Sequence, residues 1–315
     1  MGIAGDGWTI HRKAGRDADP LSFLRTAHEI KMGGVQCPLN FKEREDAKKL
    51  RSQAEQWGMY VEASMPLITG SPDRFETDVQ VANEAGISIA RTVLFPGRRY
   101  EALKTREQFD NATKHAIETL RWAEPIAAKH GVILAIENHK DQRIDERIAM
   151  MKQFSSEHVG ICVDVGNSFA LCEDPLETVK AYAPWARAVH IKDQAAAECP
   201  EGFLYADEAL GAGALQLPEM VDVLRSAWPK IHFSLEVITR NPLLVPVLTQ
   251  QYWATMPDVP AADLARTLKA VKQQHRTSFP NVSSMTTDEQ LEMETRIVRD
   301  SIAYAAGHDL TLSRK

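Results

Sequence analysis

The sequence predicts an α/β fold: a (β/α)8 barrel followed by a C-terminal helical extension. Short runs rich in Val, Ile and aromatic residues alternate with longer stretches of helical periodicity, and they form eight βα units. The 315 residues exceed the roughly 250 that such a barrel commonly needs. We therefore expect the barrel at 1–240 and an extension at 241–315 packed on the barrel.

The predicted elements follow one another in regular order. The eight strand candidates are 2–8, 33–37, 58–64, 88–95, 131–137, 158–164, 186–191 and 231–237. Between them lie helix candidates near 20–31, 41–56, 72–85, 106–130, 145–154, 175–182 and 217–227. Pro125 falls inside the fourth helix candidate. We expect it to kink or divide that helix, because proline lacks an amide donor and collides with the preceding turn.

The extension begins with a Pro-rich segment and continues into two helix candidates with apolar stripes. One begins near Pro260, and the other follows Thr287, whose spacing to Gln290 suits a capping box. Three uses for these stripes stay open: packing on the outside of the barrel, covering its mouth with Tyr252 or Trp253, or a subunit contact in a homo-oligomer. We place outside packing first.

Composition excludes several classes of function. No apolar run approaches the roughly 20 residues needed to cross a bilayer, and the N-terminus lacks the pattern of a secretory signal. The net charge of −6, without a basic cluster, argues against nucleic acid as a partner. The four cysteines show no CxxC pairing. We expect a cytoplasmic protein that acts on a small molecule, with no membrane and no nucleic-acid partner.

Four acid or imidazole side chains stand at the ends of successive strand candidates. They are Glu137 in ILAIENH, Asp164 in GICVDVGN, His190 in RAVHIKD and Glu236 in FSLEVI. A barrel gathers the carboxyl ends of its strands on one face, so these four can meet around one ion. Three carboxylates and one imidazole favour manganese or magnesium. Taken singly, each also has a structural explanation as a helix cap, a core histidine or an ion-pair partner.

The alternation of side chains along each strand also predicts which residues lie in the barrel interior. Small or apolar residues, such as Ala135 and Cys162, should lie beneath the four ligands. His232 needs a polar partner that the sequence does not identify. Glu62 and Arg91, on neighbouring strands, are expected to form an interior ion pair, because a lone buried charge is costly.

The runs IENHKD, CVDVGNS, VHIKD and SLEVITRNP, in this order, resemble the xylose isomerase-like TIM barrels, also called the sugar phosphate isomerase/epimerase superfamily. The resemblance implies one divalent metal ion, manganese first, with magnesium, cobalt or zinc as alternatives. Its ligands would be Glu137, Asp164, His190 and Glu236. In related epimerases, two metal-bound glutamates remove and return a proton on opposite faces of a carbon. The equivalent catalytic residues here would be Glu137 and Glu236.

The resemblance implies a sugar or keto-sugar isomerase or epimerase working through an enediolate-like intermediate. A second enzyme class is a dehydratase or lyase acting on a keto-cyclitol, a 3-dehydroshikimate-like compound or a 3-keto-glycoside. The non-catalytic alternative is a sugar-binding barrel. In DNA-repair endonucleases and ketohexose 3-epimerases of the superfamily, a histidine occupies the position of Asn167. That departure argues against the endonuclease activity and leaves the specific substrate open.

Five residues are candidates for binding the substrate. His139 and Lys192 lie two positions beyond proposed ligands, so strand alternation points both towards the pocket. Trp8 and His11 follow the first strand, and Asn167 follows the sixth. The structural alternatives are solvated loop side chains for His139 and Lys192 and ordinary packing for Trp8. The glycines at 211 and 213 fit a plain turn better than a phosphate site, so no phosphate group is assigned.

Overall fold

A computed structural model describes residues 1–41, 44–66, 68, 70–95, 97–308 and 310. Eight strands form the barrel: β1 (Gly2–Ala4), β2 (Gly34–Cys37), β3 (Tyr60–Ser64), β4 (Ile89–Thr92), β5 (Ile133–Glu137), β6 (Val159–Asp164), β7 (Ala186–Ile191) and β10 (Phe233–Leu235). They are all parallel and close in the order β1, β10, β7, β6, β5, β4, β3, β2. The predicted (β/α)8 barrel is therefore confirmed, and every predicted strand is present.

Helices alternate with these strands. They are α1 (Thr9–Lys13), α2 (Pro20–Glu29), α3 (Arg44–Trp57), α4 (Pro72–Glu84), α5 (Arg99–Ala102), α6 (Arg106–Lys129), α7 (Ile144–Met151), α8 (Pro175–Tyr182), α9 (Leu217–Ala227), α10 (Gln250–Trp253), α11 (Ala261–Gln273) and α12 (Thr287–Gly307). Residues 42 and 43 of the helix predicted at 41–56, and residues 309 and 311–315 of the predicted extension, lie outside the described residues.

Of the two outcomes predicted for Pro125, a kink or a division of its helix, the division is wrong. Helix α6 runs unbroken from Arg106 to Lys129 with Pro125 inside it. Both Pro125 and Arg121, the residue one turn earlier, are exposed. The carbonyl that loses its amide donor to proline is therefore on the solvent side, where water can replace the missing bond.

The first predicted strand is too long. Strand β1 ends at Ala4, and Gly5–Trp8 form a 3-10 turn that leads into α1. This turn passes close to the end of β10: a Cβ on Gly7 would lie 2.8 Å from the Leu235 carbonyl oxygen. Glycine at this position lets the chain turn over the mouth of the barrel, beside Glu236.

A second sheet that the sequence analysis did not predict follows β7 directly. Strands β8 (Asp193–Cys199), β9 (Gly202–Glu208) and β11 (Leu243–Val245) pair antiparallel in the order β11, β9, β8. This hairpin accounts for the long interval between His190 and Glu236. The sheet packs with α10 and α11 around a second buried apolar cluster, whose buried aromatic members are Tyr100, Phe169, Phe203, Tyr205 and Tyr252.

The two C-terminal helices contact the rest of the fold. The carboxylate of Glu294 on α12 accepts hydrogen bonds from the backbone amides of Ile10 and His11. After α11, the side-chain oxygen of Gln274 accepts a hydrogen bond from the Ala196 amide at 2.7 Å. The capping box of α12 is formed by Thr286 and Glu289, one residue earlier than predicted. Among the described residues, no helix is sufficiently long and apolar to cross a membrane.

Candidate metal centre

The four predicted ligands meet at the carboxyl end of the barrel. Each of Glu137, Asp164, His190 and Glu236 offers one ligand atom, and these atoms all lie within 4.8 Å of one another. The first three lie on β5, β6 and β7, and Glu236 directly follows β10. All four are buried, with at most 3% of their surface exposed. The small cluster of Ala135, Cys162 and Ala188 lies within the barrel, as strand alternation predicts.

His190 is oriented by a residue that the sequence analysis missed. Gln36 on β2 donates through Nε2 to Glu62 at 3.1 Å, so its oxygen faces His190. That oxygen lies 2.7 Å from Nε2 of His190 and must accept its proton. Nδ1 therefore faces the carboxylates of Glu236, Glu137 and Asp164, at 3.2, 3.8 and 4.0 Å.

This Nδ1 atom is buried and has no hydrogen-bond partner in the part of the chain that the structure describes. Burial disfavours the charged imidazole, but Cys162, Glu236 and Glu137 together raise the pKa of His190 well above its usual value. The atom thus needs a positive charge between it and the carboxylates, either a proton or a metal ion. One nitrogen and three carboxylates fit an oxygen-rich divalent site.

Two cations contact the carboxylates. Burial raises the pKa of Glu137, but the ion pair with Arg91 outweighs this effect. Arg91 is the main reason that the pKa of Glu137 lies below its ordinary value. Lys192 lies between Asp164 and Glu236, with its Nζ 2.7 Å from Asp164 Oδ2. Burial also disfavours ionised Glu236, whereas His190 and Lys192 hold its pKa well below its usual range. The neighbouring cations therefore favour the ionised form of both proposed catalytic glutamates.

The predicted ion pair between Glu62 and Arg91 is wrong. Arg91 pairs with Glu137, whereas Glu62 accepts from Gln36 and contacts Nδ1 of His232 at 3.1 Å. Glu62 is thus the polar partner that His232 required. The strand register explains the difference, because Arg91 is opposite Ser64 and Glu62 lies two residues earlier on β3. The two side chains occupy different layers of the barrel.

Two of the five predicted substrate residues contact the ligands, and a third, His139, follows one of them in the chain. Lys192 contacts two of them, and Asn167 donates to Glu137 Oε1 at 3.3 Å. His139 is next to β5, and burial lowers its pKa. Its Nδ1 has no partner within the described residues. Burial therefore favours the neutral form of this imidazole.

Trp8 and His11 have mainly structural contacts. Their rings stack at 3.8 Å, and Trp8 donates to Asp17 Oδ2 at 2.8 Å. His11 contacts Glu294 through Nδ1 at 2.8 Å and Thr295 through Nε2 at 3.3 Å. Both of its ring nitrogens are thus engaged by α12, and the structure gives no support to a substrate contact by His11.

Two further polar residues near the ligands were not predicted. Burial raises the pKa of Asp6, and Glu236 adds to the effect. This residue escaped notice because the whole run 2–8 read as a strand. Lys140, three residues after Glu137, is buried and bonds Asn167 Oδ1. In the sequence, only its position just after a predicted strand indicated that Lys140 could lie near the ligands.

The loop containing Gly211 and Gly213 binds a side chain of the protein itself. The Asp193 carboxylate accepts hydrogen bonds from the amides of Gly211, Gly213 and Leu215, at 2.9–3.0 Å. These donors are therefore occupied, which agrees with the expectation of a structural turn at this position.

The family model described as "Xylose isomerase-like TIM barrel" matches residues 25–270. The chain belongs to this family. It is 30% identical over 127 residues to a protein named 3-oxo-isoapionate decarboxylase, from Pectobacterium atrosepticum. This match covers 38% of the chain and 46% of that relative, so it spans less than half of either protein.

Solved structures with the same fold include an epimerase and a magnesium-bound barrel protein. D-psicose 3-epimerase of Clostridium cellulolyticum H10 is 12% identical, with a TM-score of 0.59 over 87% of this chain and 97% of that chain. A xylose isomerase-like TIM barrel protein of Mycobacterium smegmatis, solved in complex with magnesium, is 15% identical, with a TM-score of 0.50. This similarity covers 81% of this chain and 91% of that chain. At these identities the comparisons establish a shared fold.

Proposed function

We propose that this protein is a divalent-metal-dependent isomerase or epimerase of a keto-sugar. The observation that carries the proposal is the buried, unpartnered Nδ1 of His190, which faces three carboxylates within 4.0 Å. A hard cation such as Mn²⁺ or Mg²⁺ suits this oxygen-rich group better than a thiolate-binding metal does. Co²⁺ and Zn²⁺ remain alternative ions for the same ligands.

The roles of the protein's own residues follow from their contacts. Glu137 and Glu236 would exchange a proton with the substrate carbon, and the cations beside them keep both carboxylates ionised. When bound, the divalent ion would stabilise the negative charge that develops on the substrate oxygens. Asn167, which bonds Glu137 through its side chain and Asp164 through its backbone amide, would hold both acids in position.

Polar groups that follow the carboxyl ends of the barrel strands would suit a substrate with many hydroxyls. The segments after β4, β5, β6, β7 and β10 carry buried polar atoms that have no partner among the described residues. These atoms are Tyr100 Oη, His139 Nδ1, Ser168 Oγ, Gln194 Oε1 and Thr239 Oγ1. Buried polar atoms normally have a hydrogen-bond partner, so ligand hydroxyls or water should complete this set.

The second candidate function is a lyase, either a dehydratase or a decarboxylase. A dehydratase removes a proton and a decarboxylase cleaves a carbon–carbon bond. Either step would generate a negative charge on the substrate like the one that forms during epimerisation. Lys192 favours this candidate, because its buried ammonium lies beside Asp164 and Glu236 and could supply a proton to a leaving group or product. The relative named as a decarboxylase adds support from a partial match.

The deciding experiment is a screen of the Mn²⁺-loaded protein in heavy water, read by NMR. The panel contains keto-sugars, inososes, 3-keto-glycosides and keto-sugar acids. We expect deuterium at a carbon next to the carbonyl and the appearance of an epimer or isomer. An unsaturated product or released CO₂ would identify the lyase instead. Sugar affinity that survives chelation, with no turnover across the panel, would indicate a non-catalytic binding protein.

A further inference from the structure

Lys140 is a buried ammonium without a carboxylate partner. Only 4% of the residue is exposed, and its Nζ donates to Asn167 Oδ1, a neutral acceptor. Within the described ranges, no acidic oxygen lies within salt-bridge distance of this Nζ. Lys192, by contrast, contacts both Asp164 and Glu236. Because burying an unpaired charge is costly, the position of Lys140 requires an explanation.

The backbone of Lys140 is also unusual. Its φ is 58°, in the left-handed region, where a residue with a side chain is strained. The Lys140 carbonyl accepts a hydrogen bond from the Arg99 amide at 2.9 Å. Arg99 is buried, and its Nε donates to Thr255 Oγ1 at 2.9 Å. The surrounding fold therefore holds Lys140 in a strained conformation that places its ammonium at Asn167.

Asn167 connects this ammonium to the candidate metal centre. Its oxygen accepts from Lys140, its Nδ2 donates to Glu137, and its backbone amide donates to Asp164 Oδ1 at 2.9 Å. Lys140 Nζ is thus one side chain away from two proposed ligands. A small molecule whose oxygens reach the metal ligands could place an anionic substituent at Lys140.

We propose that Lys140 binds a carboxylate of the substrate, so that the keto-sugar is a sugar acid. This inference rests on the proposed function, because it assumes that the substrate's keto and hydroxyl oxygens lie at the metal centre. A single ammonium matches one carboxylate. A phosphate generally recruits several backbone amides, and those of Gly211 and Gly213 are already bound to Asp193.

The test measures binding of three achiral probes to the Mn²⁺-loaded protein by isothermal titration calorimetry. Dihydroxyacetone is neutral, hydroxypyruvate carries a carboxylate, and dihydroxyacetone phosphate carries a phosphate. We expect hydroxypyruvate to bind at least about tenfold more tightly than dihydroxyacetone. The variant Lys140→Met should lose this preference, since it removes the charge and keeps the chain length, and its affinities for dihydroxyacetone and Mn²⁺ are measured in parallel as the reference.

Lys31→Met is the matched control. Lys31 has nearly the same backbone conformation, with φ of 63°, but it is exposed, so its loss should leave all three affinities unchanged. If Lys140→Met fails to fold, Lys140→Asn takes its place, because asparagine tolerates the left-handed region.

Three results would overturn the carboxylate proposal. The first is that the wild type shows no preference for hydroxypyruvate, which includes the case in which it binds none of the probes. The second is a preference for hydroxypyruvate that survives Lys140→Met. The third is a stronger preference for dihydroxyacetone phosphate than for hydroxypyruvate. The second result would show that the metal alone selects the acid. Failure of the wild type to bind Mn²⁺ would refute the proposed function itself, and calorimetry with the metal alone separates that case.

Discussion

The side-chain oxygen of Gln36 lies 2.7 Å from Nε2 of His190, and this contact decides which imidazole nitrogen faces the candidate metal centre. The Glu62 carboxylate accepts a hydrogen bond from Gln36 Nε2. If the Gln36 amide were reversed, the Gln36 oxygen would face this carboxylate, and two acceptors would oppose each other. Glu62 in turn contacts His232 at 3.1 Å. A polar chain of three side chains therefore sets the tautomer of His190, as partners behind metal-binding histidines generally do.

We predict that Gln36→Leu weakens Mn²⁺ binding by about 10–100-fold, because it frees the His190 ring and removes the donor to Glu62 Oε2. Calorimetric titration of the metal measures the effect, independently of any substrate. Gln56→Leu is the control, since Gln56 is exposed on α3. Equal metal affinity in Gln36→Leu and the wild type would show that the contact does not orient His190.

We predict that Glu137→Gln and Glu236→Gln each lower turnover by about two orders of magnitude or more, because each removes a ligand and a proton carrier. Turnover is measured at saturating Mn²⁺, with bound metal determined in parallel to separate lost metal from lost proton transfer. The exposed Glu55→Gln serves as the control. A near-normal rate in either variant would contradict the mechanism with two glutamates.

Lys192→Met is expected to tighten Mn²⁺ binding about tenfold, equivalent to about 1.4 kcal/mol, while lowering turnover. The Lys192 ammonium lies among the carboxylates that would bind the ion, so its removal relieves repulsion between two cations. Metal titration and steady-state kinetics measure the two effects separately. Weaker metal binding in the variant would mean that Lys192 supports the ligand geometry rather than competing with the ion.

The barrel and its four ligands could be predicted because both depend on local pattern. Parallel strands buried on both faces are continuous apolar runs, and their carboxyl ends converge in any closed barrel. The Ala-rich β8 escaped prediction because alanine has weak strand propensity and the hairpin is stabilised by tertiary contacts. Pairing across the barrel, such as Gln36 with His190, joins residues 154 positions apart and leaves no periodic signal.

Removing the Glu294 carboxylate should destabilise the fold. Glu294 is fully buried on α12 and accepts from the amides of Ile10 and His11 at 2.9 and 3.0 Å, besides contacting the His11 ring. We predict that Glu294→Ala lowers the free energy of unfolding by about 3 kcal/mol, because buried donors lose their acceptor. Urea denaturation measures the loss. Glu292→Ala, exposed on the same helix, should change it by less than about 0.5 kcal/mol.

Glu173 should make stability depend on pH. Burial raises its pKa from 4.5 to about 7, outweighing the opposing effect of Arg143, whose Nε lies 3.5 Å away. Between these two values the unfolded chain releases the proton that the folded protein keeps. The contribution of Glu173 to the free energy of unfolding is thus complete below pH 4.5 and is lost as pH rises to about 7.

We predict that Glu173→Gln removes the loss of stability that the wild type shows as pH rises to about 7. In the wild type the Ile144 backbone amide donates to Glu173 Oε1 at 2.9 Å. The side-chain oxygen of glutamine can accept the same hydrogen bond, and the glutamine side chain carries no charge to desolvate. At pH 8 the variant should be more stable than the wild type by up to about 3 kcal/mol, since each pKa unit corresponds to about 1.4 kcal/mol. Urea denaturation at pH 5 and pH 8 measures the difference, with the exposed Glu177→Gln as control. A stability difference between variant and wild type that is the same at both pH values would show that Glu173 titrates normally.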